Sequence, residues 1–112
     1  MSKESGFFFG KDAAFTELGG GSRRKVLAYN SHIMIAEVHF DTNGAGAVHS
    51  HPHTQCTYVD SGVFEFEIEG EKKIVKAGDS LVFASGEKHG CVCLEEGVLI
   101  DVFTPMRDDF IQ

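Results

Sequence analysis

From residue 64 the chain alternates strictly: Phe64, Phe66 and Ile68 are interleaved with Glu65, Glu67 and Glu69. A two-residue period puts successive side chains on opposite faces of an extended chain. This segment is therefore predicted to be a strand with one apolar and one wet face. Glu69-Gly70 ahead of Glu71-Lys72 reads as the turn of a hairpin. Segments rich in β-branched and aromatic residues recur: RRKVLAYN from residue 23, HIMIAEVHF from 32, VHSHPHTQCTYVDSG from 48, DSLVFAS from 79, HGCVCLE from 89 and VLIDVFT from 98. Their separators are Asn30-Ser31, the DTNGAG loop at 41–46, Gly78-Asp79, Ser85-Gly86-Glu87 and Glu95-Glu96-Gly97. About eight short strands without a helical period predict an all-β sandwich or barrel. The first 22 residues carry no such pattern, and GGGS at 19–22 marks the entry to the regular part. A single domain is expected over 1–112, with an irregular segment at 1–22, a barrel at 23–104 and a C-terminal segment at 105–112.

A hydrophobic fraction of 42% supplies a packed interior. The formal net charge is -7, and the basic residues gather only at Arg23-Arg24-Lys25 and Lys72-Lys73, where surface strand ends are expected. Without a basic stripe, no nucleic-acid partner is expected. No apolar run is long enough for a membrane-spanning helix, so no membrane partner is expected either. The N-terminus lacks a charged start followed by an apolar block, which predicts a cytoplasmic protein with reduced thiols. Of the three cysteines, Cys91 and Cys93 are two apart on one strand face and read as buried thiols rather than metal ligands. A chain this small must close its sheets or pair their edges, which favours a homodimer.

The chemistry concentrates in the histidines. His49, His51 and His53 alternate along one segment, with Gln55 at the next position of the same parity. In an extended strand such side chains project to one face, about 7 Å apart. Two imidazoles so placed can grip one divalent ion, and a third ligand has to come from another strand. His89, after the SGEK turn, is placed to supply it. Three neutral imidazoles and one oxygen leave open positions for substrate and water. His53 follows Pro52 and reads as a pocket residue rather than a ligand; His32 and His39 are assigned no role.

These spacings resemble the cupins. The first cupin motif appears as His49-x-His51, three residues, Gln55, six residues and Gly62. The second appears as Gly78, Ala84 in place of a proline, Gly86, His89, and Cys93 in place of an asparagine; Asn43 stands where the first motif opens on glycine. The resemblance implies a jelly-roll β-barrel, the double-stranded β-helix. From Leu18 onward the chain is similar to the pectin-degradation cupins of the KdgF type, most specifically in HGCVCLEEGVLIDVFTPMRDDF from residue 89. That likeness implies conversion of cyclic 4,5-unsaturated uronates, released by pectate and alginate lyases, to linear 5-keto-4-deoxyuronate. It implies His49, His51, Gln55 and His89 as metal ligands, and Asp101, Phe103 and Arg107 as reactive residues.

The residues suit such chemistry. Asp101 lies in an otherwise apolar strand, where an unpartnered acid is costly, so a functional role as base is expected. Phe103 has the same parity and is expected to pack on the sugar ring. Arg107 is the only basic residue after Lys88 and is expected to grip the substrate carboxylate. A neutral Gln55 oxygen leaves the full charge of a divalent ion (nickel, zinc, iron, manganese or cobalt) for Lewis-acid work on a small anionic sugar acid. The competing readings are an iron-dependent cupin dioxygenase and a sugar-acid-binding cupin without turnover.

Overall fold

Eight β-strands and two single-turn 3-10 helices make up the computed structural model, which describes residues 4–111. The strands are β1 (Thr16–Gly19), β2 (Ser22–Tyr29), β3 (Met34–Phe40), β4 (Ala45–His49), β5 (Thr54–Ile68), β6 (Glu71–Lys76), β7 (Ser80–Phe83) and β8 (His89–Thr104). All pairings are antiparallel. Two long strands, β5 and β8, run through both halves of the barrel. The C-terminal half of β8 lies between β3 and the N-terminal half of β5, whose other edge takes β7. The N-terminal half of β8 lies between β4 and the C-terminal half of β5, whose other edge takes β6. This is the expected all-β jelly roll. No helix among the described residues is long and apolar enough to cross a membrane.

Period-2 alternation decides which side chains fill the barrel. On β3, Met34, Ala36, Val38 and Phe40 are buried and the residues between them are not. On β5, Gln55, Thr57 and Val59 face inward, then Phe64 and Phe66; the parity changes at the register shifts between Val59 and Phe64. Phe64, Phe66, Phe83, Val59, Cys93 and Leu99 form the main core, with a second cluster of Met34, Ala36 and Phe103 at the other end. Glu69 and Gly70 form the expected hairpin turn, both with positive φ (48° and 83°).

The strand pattern differs from the sequence expectation in three places. The segment up to residue 22 is not wholly irregular: Thr16–Gly19 is a strand paired with β2, and glycines 19–21, all with positive φ, form the connecting turn rather than a slack entry. Glu95-Glu96-Gly97 does not separate two strands. β8 continues through it, because Gly97 and Gly62 let the two long strands bend against each other; a Cβ on Gly97 would stand 2.1 Å from the Ser61 carbonyl oxygen. The third is the histidine segment, where residues 50–53 leave the sheet. Asn43, in place of the motif glycine, has φ 70°, a left-handed conformation that asparagine tolerates better than most residues.

Candidate metal centre

His49 closes β4 and His89 opens β8, and the two are partners in the β4–β8 register. Their rings lie 4.6 Å apart. His51 does not share a strand with His49 as expected. Pro52 lacks a backbone N–H, and the chain crosses from β4 to β5 as a loop. That loop is tied to the β7–β8 turn: the Ser85 hydroxyl donates to the Pro52 carbonyl at 2.7 Å, and the Gly86 amide to the His51 carbonyl at 2.9 Å. The His51 ring consequently comes within 5.7 Å of His49 and 4.9 Å of His89. One ring nitrogen from each of the three lies within 4.8 Å of the others, so the histidines are able to bind one metal ion. His53 stays outside this cluster, half-buried, its ring 6.5 Å from that of Phe103.

The tautomers of His49 and His89 fit a divalent ion. The Nδ1 of His49 meets the Ala47 carbonyl at 2.7 Å, and the Nδ1 of His89 meets the Glu87 carbonyl at 3.1 Å. A carbonyl only accepts, so in the neutral ring Nδ1 keeps the proton and Nε2 presents a lone pair. On His51, Nδ1 is buried without a hydrogen-bond partner among the described residues. Burial holds His51 neutral, pushing its pKa down to about 4, with the Arg107 charge adding to the effect. Burial also lowers the pKa of His89, whose ring stacks on Phe83 at 4.1 Å.

Gln55, the second residue of β5, is buried, with its oxygen 3.0 Å from the His51 Nε2. The amide end donates to the Thr57 hydroxyl at 3.0 Å, and that hydroxyl donates to Asp101 Oδ1 at 2.7 Å. Gln55 therefore turns its oxygen toward the histidines and its NH2 toward the acid. Asp101 sits on β8 between Ala36 and Thr57 in register. Burial pushes its pKa up to about 6, while the Thr57 bond, then Gln55, then the Arg107 charge pull it back. A carboxyl at that value is ionised at neutral pH yet readily protonated.

A cavity of about 430 Å³ opens on this cluster, with His49, Gln55, His89, Asp101, Phe103 and Arg107 in its wall. Phe103 is buried in the second core cluster. Arg107 follows β8, and its charge lies over Phe103 and Phe110, 5.4 and 4.3 Å from the ring centroids. Its Nε and Nη2 donate to the two carboxylate oxygens of Asp109, at 3.1 and 2.9 Å. One edge of the guanidinium expected to grip a ligand carboxylate is thus engaged within the chain. Two residues of the site carry no role in the sequence expectation. Thr57 is signalled only by its parity with Gln55. Arg24 belongs to a cluster expected at a surface strand end, but it reaches the cavity wall because its register partner on β3 is the core residue Val38. Cys93 is buried in the core and Cys91 lies in the cavity wall, its thiol pushed up to about 12 by burial. His39 pairs with Glu37, away from the cluster.

A jelly roll with histidines converging at its mouth is the arrangement of a cupin, and the chain belongs to that family: the profile of the cupin domain matches residues 36–103. Within the family it is similar to the pectin degradation protein KdgF of Dickeya dadantii, 44% identical over 107 residues that cover 94% of this chain and 97% of that protein. Among solved structures, KdgF from Halomonas sp. superimposes with a TM-score of 0.89 at 37% identity, covering 95% of this chain and 98% of that one. An RmlC-like cupin from Shewanella frigidimarina gives a TM-score of 0.91 at 38% identity, covering 98% of this chain and 99% of its own.

Proposed function

We propose that this cupin converts cyclic 4,5-unsaturated uronates to linear 5-keto-4-deoxyuronate. The observation that carries the reading is Asp101: a buried carboxyl with a pKa of about 6, hydrogen-bonded through Thr57 and Gln55 to a three-histidine cluster. The likeness to a pectin degradation protein supplies the substrate class. His49, His51 and His89, with the Gln55 oxygen, would hold a divalent transition ion. When bound, such an ion supplies Lewis-acid polarisation of substrate oxygen.

The chain's own groups account for the proton transfers. Ionised Asp101 takes the proton of the anomeric hydroxyl. The ring C–O bond then breaks, leaving an aldehyde at C1 and an enolate across C4 and C5. Protonated Asp101 returns its proton to C4, and the enolate becomes the C5 ketone. The product is an isomer of the substrate, so no oxidant or co-reactant is consumed. Thr57 holds the carboxylate in place and favours its ionised form. Phe103 offers its ring as packing surface for the sugar, and Arg107 adds positive charge to a cavity in a chain of formal charge -7. General acid–base transfer of this kind contributes about 10² to 10⁴-fold.

A homodimer would have exposed apolar side chains to use, with Tyr58 on β5 and Val82 on β7 standing diagonally across one ladder. The function is tested by the loss of ultraviolet absorbance of the substrate's conjugated alkene on adding metal-loaded protein, beside a chelator-treated control.

A further inference from the structure

We propose that Arg24, rather than Arg107, receives the carboxylate of the anionic ligand in this cavity, an inference that rests on the uronate reading above. Three observations converge on it. First, strand register turns Arg24 inward. It pairs with Val38 and shares parity with Ser22 and Val26, and it reaches the wall of the cavity that also holds Asp101 and Gln55. Second, its donors are idle. Nε is buried with no hydrogen-bond partner among the described residues, and the guanidinium joins none of the ion pairs found there. A buried N–H left without an acceptor is costly, which makes a ligand oxygen the fitting partner. Third, Arg107 already uses its Nε–Nη2 edge on both oxygens of Asp109, which leaves it only the Nη1 side, whereas no donor of Arg24 is engaged among the described residues.

Phe110 explains how an idle guanidinium keeps its place. The Arg24 Cζ lies 3.5 Å from the Phe110 ring centroid, and the Arg107 Cζ lies 4.3 Å from the same centroid. The ring attracts both cations while leaving N–H donors at the rim of the guanidinium for other partners. Of the two cations against this ring, Asp109 ion-pairs only Arg107, so Arg24 is the one without an ion-pair partner among the described residues. Burial, then the Arg107 charge, lower the pKa of Arg24, and the Asp109 charge raises it. A carboxylate suits these donors better than a sugar hydroxyl, because its two oxygens match the fork of a guanidinium. Arg24 then sets the ring's orientation by holding the carboxylate at C6, and Arg107 acts by charge and by packing on Phe103.

The test uses the full metal-loaded chain with 4,5-unsaturated galacturonate as substrate, and with galacturonate and galactose as competitors. Arg24→Gln is expected to raise KM about ten- to hundredfold with kcat within a few-fold. It should also abolish the preference for galacturonate over galactose, while Arg24→Lys recovers part of both. Arg107→Gln should change KM less. Wild-type KM and wild-type galacturonate preference in Arg24→Gln, or a large KM rise confined to Arg107→Gln, overturns the proposal. So does a lowered melting temperature with loss of kcat rather than of carboxylate preference, which would make Arg24 a packing residue. A wild-type protein that does not consume the substrate removes the uronate reading and the proposal together, a result distinct from an active wild type with an indifferent Arg24→Gln.

Discussion

Thr57 and Asp101 face each other across the β5–β8 ladder, and the threonine hydroxyl donates a 2.7 Å hydrogen bond to the carboxylate. The bond favours the charged form of an acid that burial pushes toward neutrality. Thr57→Val keeps the shape and deletes the hydroxyl. The Asp101 pKa should then rise further, moving the acid limb of the kcat profile up by about one pH unit, the worth of a hydrogen bond to a charged group. An unshifted pH–rate profile would contradict Asp101 as the titrating base.

Asp101→Asn should separate catalysis from stability. Turnover should fall by about 10² or more, because the amide takes no proton, while metal content stays the same. The stability effect has the opposite sign. Burial raises the carboxyl from 3.8 to about 6, so between those values the folded chain holds a proton that the unfolded chain has released. Wild-type stability therefore falls as pH rises through that window. In metal-free protein Asp101→Asn should be more stable by up to about 3 kcal/mol at pH 7, with the gain vanishing below about pH 4. Denaturant melts at the two pH values check this, and an Asn variant that unfolds or loses metal would make the acid structural.

Metal occupancy sorts the histidines. His49 is exposed at the cavity mouth, so His49→Ala should fold normally yet lose bound metal and activity together. His89→Ala should do the same at some cost in stability, since its ring stacks on Phe83 in the interior. His32→Ala, in an exposed turn, should change neither. Elemental analysis after dialysis decides each case, and full occupancy in His49→Ala would remove that residue from the ligand set.

The crossing of β5 and β8 depends on glycine. A Cβ at residue 97 would meet the Ser61 carbonyl oxygen at 2.1 Å and the Gly62 Cα at 2.6 Å, all backbone that has nowhere to go. Gly97→Ala should cost more than about 3 kcal/mol in urea denaturation. Gly70→Ala is the contrast: its φ is 83° but no atom lies within 4 Å, so only conformational strain of about 1 kcal/mol is expected. Equal costs at the two positions would show that contact between the long strands does not matter.

Alternation in Phe64–Ile68 made that strand legible, and β-branched and aromatic richness marked the 32–40 segment, whose alternate residues the structure buries. The spacing of His49, His51 and His89 likewise foretold a cluster, although His51 reaches it from a loop rather than from the strand. Features that depend on contacts between distant segments were not legible. Glu95-Glu96-Gly97 has turn chemistry, yet Gly97 serves a close approach to Gly62 that lies 35 positions away in sequence. Arg24 sits in a basic run, and only its pairing with Val38 turns it from a surface charge into a cavity residue. Arg107 was legible as the last cation of the chain, but its engagement by Asp109 depends on the turn at Asp108–Phe110.

In the proposed function, Asp101 of the metal-loaded protein opens an unsaturated uronate ring. The most direct measurement is the time course of alkene absorbance of 4,5-unsaturated galacturonate, followed in parallel with dissolved oxygen. Rapid loss of absorbance is expected with wild-type protein, the spontaneous rate with chelated protein or Asp101→Asn, and no oxygen uptake. Absorbance loss no faster than in buffer, or loss that consumes oxygen in proportion, would contradict that function.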